Sequence, residues 1–391
     1  MQPQKGETHM NLDTLRQKID HVDDALLTLF EERMDIVREI TAQKEAENLP
    51  ILDRRREMAK LQAIETKVRP DLAPYAYTLY DTLFELSRSL QGSMRKSTSP
   101  FIEKVQSAIA DTPPLFPATS TVAYQGVPGA FSERAVERLF KRPSNIQHFN
   151  NFEGVFSAVR NGFCDYGVLP IENSTAGSVT KVYNLMQSND FYIVRSLRLK
   201  VDHNLLAPHG VNREDIREII SHEQALAQCA DYLEQFGPQV KITPFEDTAG
   251  AAEYVANSHR RDIAAICSHS CAELYNLNFL ARDVQDSDHN YTRFICISKK
   301  LEIYPGADRT SIMLTTPHTP GSLYKVLGRF YALGININKL ESRPLPQRDF
   351  DFMFYFDLET SVYSEEFAKL LGSLEEVCDQ FKYLGSYIEV I

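Results

Sequence analysis

Leu12, Leu15, Ile19, Val22, Leu26 and Leu29 follow one another in steps of three and four. That spacing returns an apolar side chain to one face of an α-helix at each turn, with the charges between them on other faces. A stripe this regular demands a helix and a hydrophobic surface to receive it. The next stripe position holds Arg33, after which Val37, Ile40 and Lys44 continue the face in steps of four, three and four. Two cations therefore stand in or beside a surface meant for burial. A buried cation left unpaired is strongly destabilising. Each needs an internal salt bridge, a snorkelling geometry or an anionic ligand.

"LPILDRRREM" ends this helix at Pro50 and opens another near Asp53, a residue suited to the N-cap. Its apolar positions are Met58, Leu61, Ile64 or Glu65, and Val68. A third helix is expected over residues 72–91, with Leu72, Tyr75, Leu79, Leu83, Leu86 and Leu90 inward and Tyr80, Phe84, Ser87 and Gln91 on its flank. Three helices thus set polar groups beside apolar faces: Arg16, Arg33 and Lys44; Arg56 and Glu57; Ser87 and Gln91. Over residues 12–91 this order of Arg, Arg, Lys, then D-x-x-R-E, then S-x-x-x-Q resembles the all-helical chorismate mutases. The resemblance implies that Arg16 and Arg33 bind carboxylates and that Lys44 and Gln91 face the substrate's ether oxygen. It implies that Asp53, Arg56 and Ser87 frame the substrate and that Glu57 takes its ring hydroxyl. In that family the arginine matching Arg16 crosses from a second chain of an intertwined dimer. Three helices this long cannot easily cover their own stripe, which agrees with a dimer. The composition suits the chemistry. A pericyclic rearrangement of a dianion needs a held conformer and stabilised charge, with no proton transfer and no nucleophile.

At 391 residues the chain is long for one core, and several domains are expected. Hydrophobic content of 43% and charged content of 24% are those of a soluble globular protein. A net charge of -11 argues against nucleic acid as a partner. No apolar run suggests a membrane span and no signal peptide precedes the first helix; residues 1–10 read as a loose lead-in. Six cysteines in so long a chain fit a reducing cytoplasm rather than a disulfide scaffold. Cys267, His269 and Cys271 lack a fourth ligand at a recognisable spacing, so no metal and no cofactor is expected. The Ser-, Pro- and Thr-rich stretch 91–120, with one short helical piece near 101–110, marks a boundary.

Beyond it, strands alternate with helices. Strands are expected at Thr121–Tyr124, Ile146–Phe149, Tyr166–Pro170, Glu218–Ser221, Val240–Pro244 and Ile263–Cys267. Helices are expected at Phe152–Arg160, Ala225–Phe236 and Thr248–Ser258, giving an α/β domain with a mainly parallel sheet. Gly126 and Gly129 do not satisfy the dinucleotide fingerprint. "GVLPIENST" drives a hydrophobic strand into Glu172, Asn173, Ser174 and Thr175. Either Ser174 or Thr175 caps a following helix, or the cluster is a ligand site at the carboxyl end of a strand. Ser221, with Gln228 one to two turns into a helix, and Thr292 with Arg293, just before the strand Phe294–Ile297, stand at comparable places. "YQGVPGAFSE", "GVLPIENS" and "TRF" together resemble prephenate dehydratase over residues 122–299. The resemblance implies two α/β lobes like those of type II periplasmic binding proteins. It places the polar clusters in the cleft between them: Thr292 on the leaving hydroxyl, and Glu172, Asn173, Ser174, Ser221 and Gln228 lining it. Arg293 is either a carboxylate partner or a scaffold ion pair. His222 adjoins Ser221, but neighbouring strand residues point to opposite faces. "DVQDSDHN" from Asp283 lacks the glycine and terminal Glu of a calcium loop and reads as solvated.

The last segment orders its elements β-α-β-β-α-β: strand Arg309–Thr316, helix Ser322–Leu333, strands Asn338–Arg343 and Phe350–Leu358, helix Glu365–Phe381 and strand Tyr383–Ile391. That is the ferredoxin-like arrangement. "GSLYKVLGRF" and "NKLESRP" resemble the amino-acid-binding ACT domain attached to prephenate dehydratases. Gly321, Ser322 and Leu323, with Glu341, Ser342, Arg343 and Pro344, would then hold phenylalanine. The first motif departs from the usual Gly-Ala-Leu-Val, with Tyr324 in the last place.

The expected fold is multidomain: an all-α three-helix chorismate mutase domain over 11–97, a linker over 98–120, the α/β domain over 121–300 and an α+β ACT domain over 308–391. The expected activity is a cytoplasmic bifunctional enzyme turning chorismate into prephenate and prephenate into phenylpyruvate, under phenylalanine feedback, as a homodimer or homotetramer. Three rivals stand beside it: an arogenate-preferring dehydratase, a non-catalytic small-molecule sensor on the same scaffold, and a mutase domain kept only for dimerisation.

Overall fold

The computed structural model describes residues 11–47, 49–94, 100–141, 145–345, 351–374 and 377–391. The lead-in 1–10 and residues 95–99 at the expected boundary lie outside the described residues. The chain forms two compact units. One holds the described residues up to Ile102 with Leu323–Arg329 and Ala368–Val377; the other holds the remainder.

In the first unit the helices are Leu12–Ala46, Arg54–Lys67 and Ala73–Met94. Asn11 caps the first through Asp13 N, and Asp53 caps the second through Arg56 N, as its sequence suggested. The long helix buries only Met34, Val37 and Thr41. Leu12, Leu15, Ile19, Val22, Leu26 and Leu29 are exposed, and so are Leu72, Tyr75 and Leu79, which were expected inward. The shorter helices reach only the second half of the long one, so a single chain leaves the regular stripe uncovered. Within the same unit Lys325 Nζ lies 3.2 Å from Asp81, and Arg329 Nη2 lies 3.1 Å from Glu85.

The second unit contains three sheets. The first runs Glu389–Val390, Tyr192–Lys200, Tyr291–Ser298, Tyr166–Asn173, Thr121–Gln125, Asn145–Phe149, with Gly177–Ser178 added beside Tyr166–Asn173. The next runs Asn278–Ala281, Asn204–Ala207, Ile263–Cys267, Glu218–His222, Lys241–Phe245. The chain leaves the first lobe after Lys200 and returns at Tyr291. Sequence reading named neither Tyr192–Lys200, Asn204–Ala207 nor Asn278–Ala281. It also expected a mainly parallel sheet, whereas both are mixed. The returning strand enters from the end at which its neighbours finish, so it runs antiparallel to both. This brings Thr292 opposite Asn173.

The third sheet, Asn336–Pro344, Phe352–Glu359, Arg309–Thr315, Gln380–Tyr387, is antiparallel throughout. The helix expected to reach Phe381 is described over Glu365–Leu374, and Phe381 pairs with Leu314 in the sheet. Strand pairing overrides the helical periodicity there. The final strand splits: Gln380–Tyr387 stays in this sheet while Glu389–Val390 joins the first. Gly385 makes the approach possible. Its φ is +141°, and a Cβ there would sit 2.2 Å from the Ile193 carbonyl oxygen. One core, including Leu169, Ile193 and Ile295 of the first lobe with Met313, Tyr355 and Leu384, spans both sheets. The stretch read as a linker is likewise structured. It forms the helix Pro100–Asp111 with Val105 and Ala108 buried, and Phe116 packs 4.9 Å from Phe140.

Candidate active sites

In the helical unit Arg33 donates to Leu83 O at 3.2 Å and contacts the Ser87 hydroxyl. Gln91 donates to Ser87 O at 3.3 Å, while its Oε1 is buried with no partner among the described residues. Lys44 reaches Ile51 O. Burial lowers the Arg33 pKa against the pull of Tyr80 and Glu57. Glu57, expected to take a substrate hydroxyl, is ion-paired with Arg88, which also pairs with Glu85. Burial opposes the Arg88 charge, but Glu85 and Glu57 outweigh it and raise its pKa. Sequence reading missed Arg88, although it follows Ser87 on the inward side of its helix. Asp53 is occupied as a cap and Arg56 is exposed. Arg16 stays apart, with its guanidinium 3.2 Å from Asp13 and the side chain 67% exposed. One chain therefore gathers Arg33, Ser87, Gln91, Glu57 and Arg88 and leaves Arg16 in solvent. Cations and neutral donors of this kind can hold an anion and stabilise charge developing on an oxygen.

The polar residues of the α/β unit divide into two groups. Thr292, Asn173 and Gln228 come together. Asn173 Oδ1 accepts from the backbone N–H groups of Thr175, 3.0 Å, and Ala176, 2.8 Å. A backbone N–H can only donate, so the amide orientation of Asn173 is fixed. Its Nδ2 must then donate to Thr292 Oγ1 at 3.0 Å and Asn290 Oδ1 at 2.8 Å. Asn290 Nδ2 in turn donates to Gln228 Oε1 at 2.8 Å. With its oxygen engaged as acceptor, Thr292 keeps its proton, for which the described residues offer no acceptor. Gln228 and Asn290 line a cavity of about 290 Å³ with Thr175, Ala176 and Gln285.

The other group is held by partners within the fold. Ser221 is buried and donates to Ile266 O at 2.6 Å. Ser174 bonds His289 O at 2.7 Å and Tyr291 N at 2.9 Å; it caps no helix, because Thr180–Ser188 starts after Val179 without a side-chain cap. His222 accepts from Gln224 N as the cap of the short helix Glu223–Ala227. The single helix expected over Ala225–Phe236 is two, parted at Gln228 and Cys229, which leaves Gln228 at a helix end facing the cavity. Arg293 lies on the opposite face of its strand from Thr292 and is 5% exposed. It is an ion-pair hub: Asp357 is fully buried against it, Glu389 lies 2.7 Å from its Nε and Glu172 lies 3.4 Å from its Nη1. Burial alone depresses its pKa, but Tyr387, Asp357, Tyr355 and Glu389 outweigh burial and raise it. Lys339 holds the other Glu172 oxygen at 3.1 Å. Asn290, just before the strand that begins at Tyr291, was missed by the sequence reading. The "solvated" loop after Asp283 is stitched in place by Val284 N to His203 O and Asp286 N to Gln228 O, both 2.8 Å.

Glu341 accepts from Ser178 at 2.7 Å and pairs with Arg343 at 3.4 Å, while Arg343 reaches Asn184 at 3.3 Å. Ser342 and Pro344 lie on the same strand opposite Phe354 and Phe352. Gly321, φ +83°, precedes the helix that opens with Ser322 and Leu323. No group of three or more His, Cys, Asp or Glu able to hold a metal occurs among the described residues. No helix among them is long and apolar enough to cross a membrane.

A helical unit that gathers cations, followed by a two-lobed α/β unit with a hydroxyl donor at its crossing strand, defines a two-site arrangement for anionic substrates. The chorismate mutase type II family profile matches residues 15–92 and the prephenate dehydratase profile residues 122–302. A bifunctional chorismate mutase/prephenate dehydratase of Aquifex aeolicus is 32% identical over 96% of this chain and 97% of its own. An arogenate dehydratase/prephenate dehydratase of Arabidopsis thaliana is 41% identical over 68% of this chain and 72% of its own. Among solved structures, a prephenate dehydratase of Arthrobacter aurescens in complex with L-Phe superposes with TM-score 0.63 and 29% identity, covering 68% of this chain and 89% of that one. A quorum-quenching acylase, GqqA, superposes with the same TM-score and 32% identity over 69% of this chain and 98% of its own. The chain belongs to the bifunctional chorismate mutase–prephenate dehydratase family.

Proposed function

We propose that this chain rearranges chorismate to prephenate among its N-terminal helices and converts prephenate to phenylpyruvate in the α/β cleft. The observation that supports the second step best is the one-way hydrogen-bond chain that leaves the Thr292 proton free. In that step the ring C–carboxylate bond breaks and carbon dioxide leaves. The released electron pair completes the aromatic ring as the C–O bond breaks and hydroxide departs. The Thr292 O–H donates to the departing oxygen, where negative charge grows. The chemistry needs no redox cofactor. Arogenate carries an ammonium where prephenate has a ketone. A cleft presenting N–H and O–H donors suits the ketone.

The C-terminal sheet reads as a ferredoxin-like ACT domain that binds phenylalanine through Gly321–Leu323 and Glu341–Pro344. Arg293 supports this regulatory reading: it adjoins Thr292 in sequence and is paired with Asp357 and Glu389 of the C-terminal segment. The uncovered stripe Leu12–Leu29 supports a homodimer, and six cysteines in so long a chain, five of them buried, support a reducing cytoplasm. The direct test supplies chorismate alone to the purified chain. Phenylpyruvate should accumulate through transient prephenate, and prephenate should be consumed faster than arogenate. Prephenate that builds up and persists would remove the dehydratase.

A further inference from the structure

His203 and Gln285 are absent from every sequence motif that identified the dehydratase site, yet both are anchored to it. His203 sits on the segment that carries the chain from the first lobe to the second, and it is 2% exposed. Its Nε2 lies 2.9 Å from Gln228 Oε1. The donor chain that begins at the Thr175 and Ala176 backbone N–H groups makes Gln228 Oε1 an acceptor, already taking one bond from Asn290 Nδ2. His203 Nε2 must therefore carry the proton. The remaining nitrogen, Nδ1, is buried with no partner among the described residues, which fits a lone pair and not a second N–H.

The same histidine fixes a second amide. Its backbone N–H donates to Gln285 Oε1 at 2.9 Å. Gln285 is thereby oriented, and its Nε2 is a buried donor with no acceptor among the described residues, on the wall of the 290 Å³ cavity. Gln228 is half-buried and oriented likewise, with its oxygen taken twice and its Nε2 left without a hydrogen-bond partner among the described residues. An unpartnered buried donor is destabilising in a folded protein. That buried donor, with the Gln228 amide beside it on the same small cavity, marks the place of an acceptor-rich ligand. Asp286 is the carboxylate of that lining, and one of its oxygens accepts from Asp231 N at 3.2 Å.

We propose that Gln285 binds an oxygen of the anionic dehydratase substrate jointly with Gln228, and that His203, as its Nε2–H tautomer, is the positioning residue that orients both amides. The proposal rests on reading this cleft as the dehydratase site. Gln285→Glu separates it from a purely structural role. A glutamate keeps the acceptor for His203 N–H but replaces the donor with a negative charge. The variant should raise KM for prephenate tenfold or more, with kcat within threefold and the melting temperature unchanged. His203→Leu should lower kcat/KM at least tenfold, and His203→Gln, which restores an N–H donor, should recover most of it. A folded Gln285→Glu enzyme with wild-type KM overturns the substrate contact. A His203→Leu enzyme as active as His203→Gln overturns the positioning role. Wild-type chain that leaves prephenate unchanged in the same assay indicts the dehydratase reading itself.

Discussion

The helical site and the α/β site differ in how much of each one chain supplies. In the α/β unit a single chain closes its own hydrogen-bond circuit, from backbone N–H groups at Thr175 and Ala176 to Thr292 at one end and His203 at the other. In the helical unit the polar groups pair with each other, Arg33 with Ser87 and Glu57 with Arg88, while Arg16 stands in water beside an uncovered apolar stripe. The difference follows from topology. A two-lobed fold wraps a cleft by sending the chain across it twice. In the helical unit the long helix buries only Met34, Val37 and Thr41, and its stripe Leu12–Leu29 stays exposed.

The sharpest way to break the comparison is a double dissociation, and it carries the largest effect. Thr292→Val keeps the side-chain volume and removes the donor. Dehydratase kcat should fall about a hundredfold or more with little change in KM, because the bond matters mainly in the transition state. Thr292→Ser should retain much of the rate, and mutase turnover in the same sample should be normal. Arg33→Ala should do the converse, lowering mutase activity by roughly 10²–10³-fold and sparing prephenate consumption. Near-normal dehydration by a folded Val variant would reduce Thr292 to the opening residue of a strand, where valine fits at least as well.

The two sites were also unequally legible. The strand beginning at Tyr166, the helix cap at Asp53 and the β-α-β-β-α-β order of the last segment all followed from local spacing, and local spacing sets them. Thr292 and Asn173 were found because their motifs are contiguous. Asn290 lies outside the strand that begins at Tyr291, so alternation does not reach it. His203 and Gln285 lie 82 residues apart on two crossing segments, and no local pattern says that a backbone N–H of one will fix the amide of the other. The mixed sheet escaped for the same reason: strand direction depends on where the chain returns from, not on composition. Ser221 and Glu172 were placed on the correct elements, but a side chain's partner, Ile266 O or Lys339, is a tertiary fact.

A second test asks whether the helical site is shared between chains. Arg16→Ala and Arg33→Ala should each abolish mutase activity as homodimers. If Arg16 crosses to the site that holds the partner's Arg33, mixing the two and allowing exchange makes a hybrid with one intact site. About a quarter of wild-type activity should return at equal mixing, since half the dimers are hybrids with one of two sites restored. Dilution below the dimer dissociation constant should remove mutase activity first. If mixing restores nothing while gel filtration shows that hybrids form, each site is built from a single chain.

The smallest expected effect concerns what joins the lobes at the first crossing. Asp202 accepts from Arg134 at 2.7 Å and from His269 Nδ1 at 2.8 Å. Burial pushes the Asp202 carboxyl up, but Arg134 and His269 outweigh it and hold it below its ordinary value. The sign then follows. The folded state binds fewer protons at this group than the unfolded chain does. Its contribution is fully present above the unfolded carboxyl value, near pH 4, and is lost as pH falls through the lower folded value. Asp202→Asn removes that contribution at every pH. The melting temperature of the wild type should exceed that of the variant by a few degrees at neutral pH, since charge-assisted bonds contribute about 1.5–3 kcal/mol each at most. The gap should hold steady down to about pH 4 and narrow below it. A gap that instead stays constant into strong acid would mean that the variant's loss comes from packing and not from the ion pair.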